Sequence, residues 1–148
     1  MAATNIPRGI RNNNPANIKY APQNKWQGQA KPNQGFCTFI TPIYGLRAAY
    51  RLIGSYYTRH NLRTVAQIIS RWSPDGKTIE DNYAWYVARG CGILSDEEID
   101  IGNEDFMVKF MKGIVKFENT QNPYDDKTYR KAYRLSGINM YADSVRNK

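Results

Sequence analysis

At 148 residues the chain is long enough to bury a core of its own without disulfide or metal staples. Its formal charge of +8 favours polyanionic surroundings, but the 21 basic residues are spread along the length, with no basic block, helix-turn-helix spacing or RNA-binding aromatic signature, so nucleic acid is an unlikely partner. Two cysteines and one histidine, Cys37, Cys91 and His60, exclude a disulfide framework or a zinc cluster, and no apolar run reaches the length that spans a membrane.

The start, MAATNIPRGI, lacks the basic-then-apolar pattern of a signal peptide, so the protein is expected to be made in the cytoplasm and to reach any outside target by another route. Residues 1–41 carry Pro7, Pro15, Pro22 and Pro32 with many amides, and predict an irregular arm with short strands at GFCTFIT. Within the arm, GIRNNNPANIKY holds four asparagines, which favour turns and caps and whose amides grip hydroxylated ligands without desolvating a charge.

From Gly45 the pattern becomes helical, and a helical body is predicted over 45–138. Leu46, Ala49, Tyr50, Ile53 and Tyr57 recur at three- and four-residue intervals. Thr64 and Gln67 form a capping-box pair ahead of a second helix, VAQIISRW. A third helix is predicted over TIEDNYAWYVARG, stopped by Gly90 and Gly92. Ser95 with Glu98 reads as another capping box, and Asn103 as the N-cap of a fourth helix, FMVKFMKGIVKFEN, whose buried face is Met107, Phe110, Met111 and Ile114. Asp125 and Asp126 read as turn residues, the stretch from Tyr129 as a short helix or turn, and 139–148 as a frayed basic tail. The fold class is therefore mostly α, a single helical domain over 1–148 with an irregular N-terminal arm.

Glu118 falls four residues after Ile114, on the apolar face of the fourth helix and beside Phe117. A carboxyl group set among apolar side chains at a cleft edge has a raised pKa and can donate a proton at neutral pH, as a glycosidase acid must. The competing reading is a cap or an ion pair. Glu80 or Asp81 would supply a second carboxylate, or else simply suit the start of the third helix. No serine or cysteine sits in a nucleophile-elbow context. Tyrosines and tryptophans, unusually many here with 11 Tyr and 3 Trp, stack on sugar rings when exposed.

The run RGIRNNNPANIKY, followed by WQGQ, GLRAAYRLI, IISRWSP and IVKFENTQNPY, resembles a family of small phage-encoded proteins described as virion structural proteins or muralytic enzymes. The likeness spans Arg8 to about Ile138, and RNNNPxNI is its specific core. GIVKFENTQNPYDD is similar to the part of lytic transglycosylases where a helix ends in the catalytic Glu, followed by Ser and an Asn-Pro pair; Glu118, Asn119 and Asn122-Pro123 take those places. Because that helix comes late here, the resemblance implies a circularly permuted lysozyme-like fold. The chain departs from its phage relatives after W-x-P, where Lys77, Thr78 and Glu80 replace their usual Glu-Asn and Thr.

The resemblance implies a phage virion-associated lytic transglycosylase or muramidase that cleaves the β-1,4 bond between N-acetylmuramic acid and N-acetylglucosamine at the periplasm or cell wall. Glu118 would be the acid and Glu80 the second carboxylate. Asn13, Asn14, Asn17, Tyr20, Trp26 and Tyr83 would line the glycan groove. No metal or cofactor is called for, and the partners would be peptidoglycan and other virion proteins. The alternatives are a non-catalytic structural or ejected virion protein and, third, a basic DNA-associated phage protein.

Overall fold

The computed structural model describes residues 6–140 and is mostly helical. The helices with described bounds run in order α1 (Arg8–Arg11), α2 (Pro42–Arg59), α3 (Val65–Trp72), α4 (Lys77–Cys91), α5 (Glu104–Asn119) and α6 (Asp126–Ser136). Their apolar faces meet in one contiguous core that includes Leu46, Ile53, Ile68, Val87, Phe110 and Ile114, all fully buried. Burying each such side chain stabilises the fold by about 1.5–3 kcal/mol. Helix α2 lies chiefly against α6, α4 packs between α3 and α5, and α5 also touches α6.

Local signals account for most helix boundaries. The Thr64 hydroxyl accepts from Gln67 N while the Gln67 side chain accepts from Thr64 N, a complete capping box ahead of α3. Asn103 caps α5 by accepting from Phe106 N at 3.0 Å. Gly92 ends α4 in the left-handed conformation that an L side chain resists.

Three segments differ from the sequence-based expectation. Ser95 and Glu98 start no helix: Thr64 pairs with Glu98 in an antiparallel bridge, and Ile99 N donates to Arg63 O at 2.8 Å. Ile99 is buried beside this bridge, and Asp100 O accepts from Asn103 N in a turn that leads into α5, so pairing with Arg63 and Thr64 overrides the capping-box pattern. The second difference is α6, which has eleven residues. Asp125 is its N-cap, accepting from Thr128 N at 2.9 Å, and Tyr129, Ala132, Tyr133 and Ser136 form its buried face. Arg130 and Arg134 hold it to Glu104 at the start of α5. The tail beyond residue 140 lies outside the described residues.

The third difference is GFCTFIT, which makes only isolated bridges, Lys19 to Phe36, Asn33 to Phe36 and Gln29 to Phe39. A continuous ladder fails because Asn14 takes backbone groups that a strand would use: its amide donates to Cys37 O and Ile18 O, both at 3.0 Å, and accepts from Ile18 N. The arm also contains the one-turn helix α1, in a stretch that composition marks as irregular. Among the described residues no helix is long and apolar enough to cross a membrane.

Candidate functional site

Glu118 sits one residue before the end of α5, half-buried, where the arm crosses α5 and α4. Asn119, only 2% exposed, anchors the arm there: its amide donates to Pro15 O at 2.7 Å and to Val115 O of its own helix at 2.9 Å. The Trp72 indole, at the end of α3, donates to Ala16 O at 3.2 Å. Gly9 of α1 is pressed against the same junction; a Cβ there would stand 2.6 Å from Asn119 Oδ1 and 2.9 Å from Asn17 Oδ1.

These contacts deliver Asn17 to Glu118. Its backbone is left-handed, φ 54°, a conformation that asparagine tolerates better than most residues, and Nδ2 donates to Glu118 Oε1 at 2.9 Å. From α4 the Tyr83 hydroxyl donates to Glu118 Oε2 at 2.8 Å. Tyr83 is 1% exposed, and its ring stacks on Phe117 with centroids 3.9 Å apart and planes at 19°. Glu118 thus has one donor on each oxygen, from two elements far apart in the chain.

Burial pushes the Glu118 carboxyl above the usual carboxylate range, and the nearby negative charge of Asp75 pushes the same way. The bonds from Asn17 and Tyr83 and the charge of Arg8 oppose the rise without cancelling it. Burial holds the Tyr83 hydroxyl well above its ordinary pKa, helped by the Glu118 charge, so it remains a donor through the neutral range. A carboxyl group whose hold on its proton is strengthened by burial moves toward what a general acid needs.

Of the candidate residues, the structure brings together Glu118, Asn17 and Tyr83. Asn13 and Asn14 are instead engaged by the backbone: Asn13 Nδ2 donates to Phe39 O at 3.0 Å, and Asn14 is fully buried. Tyr20 is 40% exposed on the arm, and Trp26 lines surface hollows beside Arg51 of α2. Glu80 accepts from Ser70 of α3 at 2.5 Å. Asp75, in the turn between α3 and α4, was not singled out in the sequence; its position in the W-x-P-D string just before Gly76 is the one available signal. Among the described residues no group of three or more His, Cys, Asp or Glu side chains could hold a metal.

A small helical protein with a half-buried carboxyl group at a helix end fits several enzyme and scaffold classes, and kinship narrows the choice. No protein-family model matches the sequence. Over 130 residues, 85% of this chain and 79% of the relative's, it is 31% identical to Protein P5 of Pseudoalteromonas phage PM2. The chain belongs to the family of that phage protein.

Proposed function

We propose that this protein is a component of the phage particle that opens host peptidoglycan as a glycosidase, with Glu118 as general acid. Kinship with Protein P5 supports a phage role. The activity rests on one observation: a half-buried carboxyl group of raised pKa is aimed by Asn17 on one oxygen and Tyr83 on the other. On this reading the helical body is a permuted lysozyme-like fold carried in the particle to the periplasm.

Protonated Glu118 gives its proton to the glycosidic oxygen between N-acetylmuramic acid and N-acetylglucosamine as the bond to the muramic C1 breaks. The resulting carboxylate then accepts a proton from the nucleophile that attacks C1. If that nucleophile is the sugar's own 6-hydroxyl, an anhydro ring closes without water; if it is water, a reducing end forms. Asp75 suits the second carboxylate better than Glu80, because the charges that act on Glu118 include that of Asp75 and not that of Glu80. Tyr86, 38% exposed and 5.9 Å from the Phe117 ring, offers an aromatic face for a sugar beside the acid.

A second reading is a non-catalytic particle protein in which Glu118 ties the arm to the body. It is favoured by the same two bonds, since both carboxylate oxygens already have internal donors. Mass spectrometry of material released from purified sacculi separates the two. Anhydro or reducing muropeptides from the wild type, absent with Glu118→Gln, support the enzyme. No released fragments from the wild type support the structural reading.

A further inference from the structure

We infer that the groove between α4 and α5 is a cationic subsite that holds the acidic peptide stems of the wall polymer. The inference rests on the peptidoglycan reading above and extends it from the cleavage point to substrate binding. The groove encloses about 440 Å³ and is lined by Arg89 of α4 and by Lys109, Lys112 and Lys116 of α5. The three lysines recur at three and four residues, so they form one row along the helix.

Arg89 lines the groove with this row, and Gly113 lets the two helices approach: a Cβ there would meet Val87 Cα at 3.2 Å. Lys112 is paired with Asp126, so the positive charge of the groove rests on Arg89, Lys109 and Lys116. Arg89 lies over the exposed Trp85 ring at 5.1 Å. At one end the groove is bounded by Tyr86, which meets Phe117 one residue from Glu118. A linear polymer cut at Glu118 therefore continues over Tyr86 into the cationic row, where carboxylates on its side branches meet ammonium and guanidinium groups. That continuity with the acid favours the wall polymer over nucleic acid as occupant.

Binding is tested apart from cleavage in a Glu118→Gln background, by co-sedimentation with purified sacculi at several salt concentrations. Replacing Arg89, Lys109 and Lys116 together by Gln should weaken binding about tenfold or more at low salt and flatten its salt dependence. Replacing Lys19, Lys31 and Lys77 by Gln removes the same charge elsewhere and should leave binding near that of the parent. Sacculi whose carboxylates have been amidated should bind the parent as weakly as native sacculi bind the groove variant. Equal loss in the two triple variants, or no effect of amidation, would overturn the inference. So would groove-dependent binding of duplex DNA tighter than of sacculi at the same salt. Groove-dependent binding to sacculi by a protein that releases no fragments would instead sink the glycosidase and leave the subsite standing.

Discussion

The Asn17 amide donates to Glu118 at 2.9 Å across 101 positions of sequence. This bond joins the asparagine-rich arm to the end of α5 and makes the two most distinctive stretches of the chain parts of one site. Asn119 and Trp72 secure the arm on either side of Asn17, through Pro15 O and Ala16 O. The arm acts here through placement, since asparagine neither gives nor takes a proton near neutrality.

Asn17→Asp should expose this coupling. It replaces a donor by a second carboxylate against Glu118, and two such charges cannot both ionise cheaply. Urea unfolding should show a loss of about 2 kcal/mol at neutral pH. Most of that loss should be recovered at about pH 5, where one carboxyl of such a pair is protonated. An equal loss at both pH values would mean that charge is not the cause.

Tyr83→Phe keeps the stack on Phe117 and removes only the hydroxyl. The lost hydrogen bond should cost about 1 kcal/mol of stability. It also removes one of the two bonds that hold the Glu118 pKa down, so that pKa rises further. On the proposed glycosidase reading, the limb of the pH–rate profile that reports deprotonation of Glu118 should move to higher pH, while Asp75→Asn should move it lower in whatever activity that variant retains. Profiles that superimpose on the wild type would contradict the electrostatics described here.

How much of this was legible in the sequence depends on range. Helices α2 and α5 follow from three- and four-residue spacing of apolar residues, α3 from the Thr64 and Gln67 pair at its start, and α4 from the glycines that stop it. The position of Glu118 near the end of α5, beside Phe117, was legible from the same spacing. The Ser95 and Glu98 pattern misled because Ser95 O accepts from Ala66 N and Glu98 bridges to Thr64, tertiary pairings that a four-residue motif does not contain. The asparagines were ambiguous for a different reason. Asn13, Asn14 and Asn17 have identical chemistry and take different roles according to backbone conformation and neighbours far along the chain. Asp75 matters through the charge it places near Glu118, which no local spacing encodes.

Two glycine positions give a stability contrast. A Cβ on Gly45 would fall 1.9 Å from Asn13 O, a backbone atom with nowhere to go. Gly45→Ala should therefore separate α2 from the arm and lower stability by about 3 kcal/mol or more, within the range of severe overpacking. Gly90, late in α4, has nothing within 4 Å of its Cβ position. Gly90→Ala should stabilise by about 0.5–1 kcal/mol through helix propensity. Thermal unfolding of the two variants reads both signs.

Glu118→Gln carries a stability signature of its own. Burial raises the folded-state pKa of Glu118 above its unfolded value, so its favourable contribution is complete below the unfolded pKa and is lost as pH rises through the folded one. The variant, which cannot ionise, should melt above the wild type at neutral pH. The gap should close below about pH 4, where the wild-type carboxyl is protonated in both states. A gap that widens on acidification would reverse the assignment.

The proposed role of Glu118 as proton donor of a wall-cleaving site is tested most directly by the rate at which purified peptidoglycan loses turbidity. The wild type should clear the suspension, and folded Glu118→Gln should be slower by about 10²–10⁴-fold, the usual contribution of a general acid. Equal clearing by the two proteins, or none by either, would contradict it.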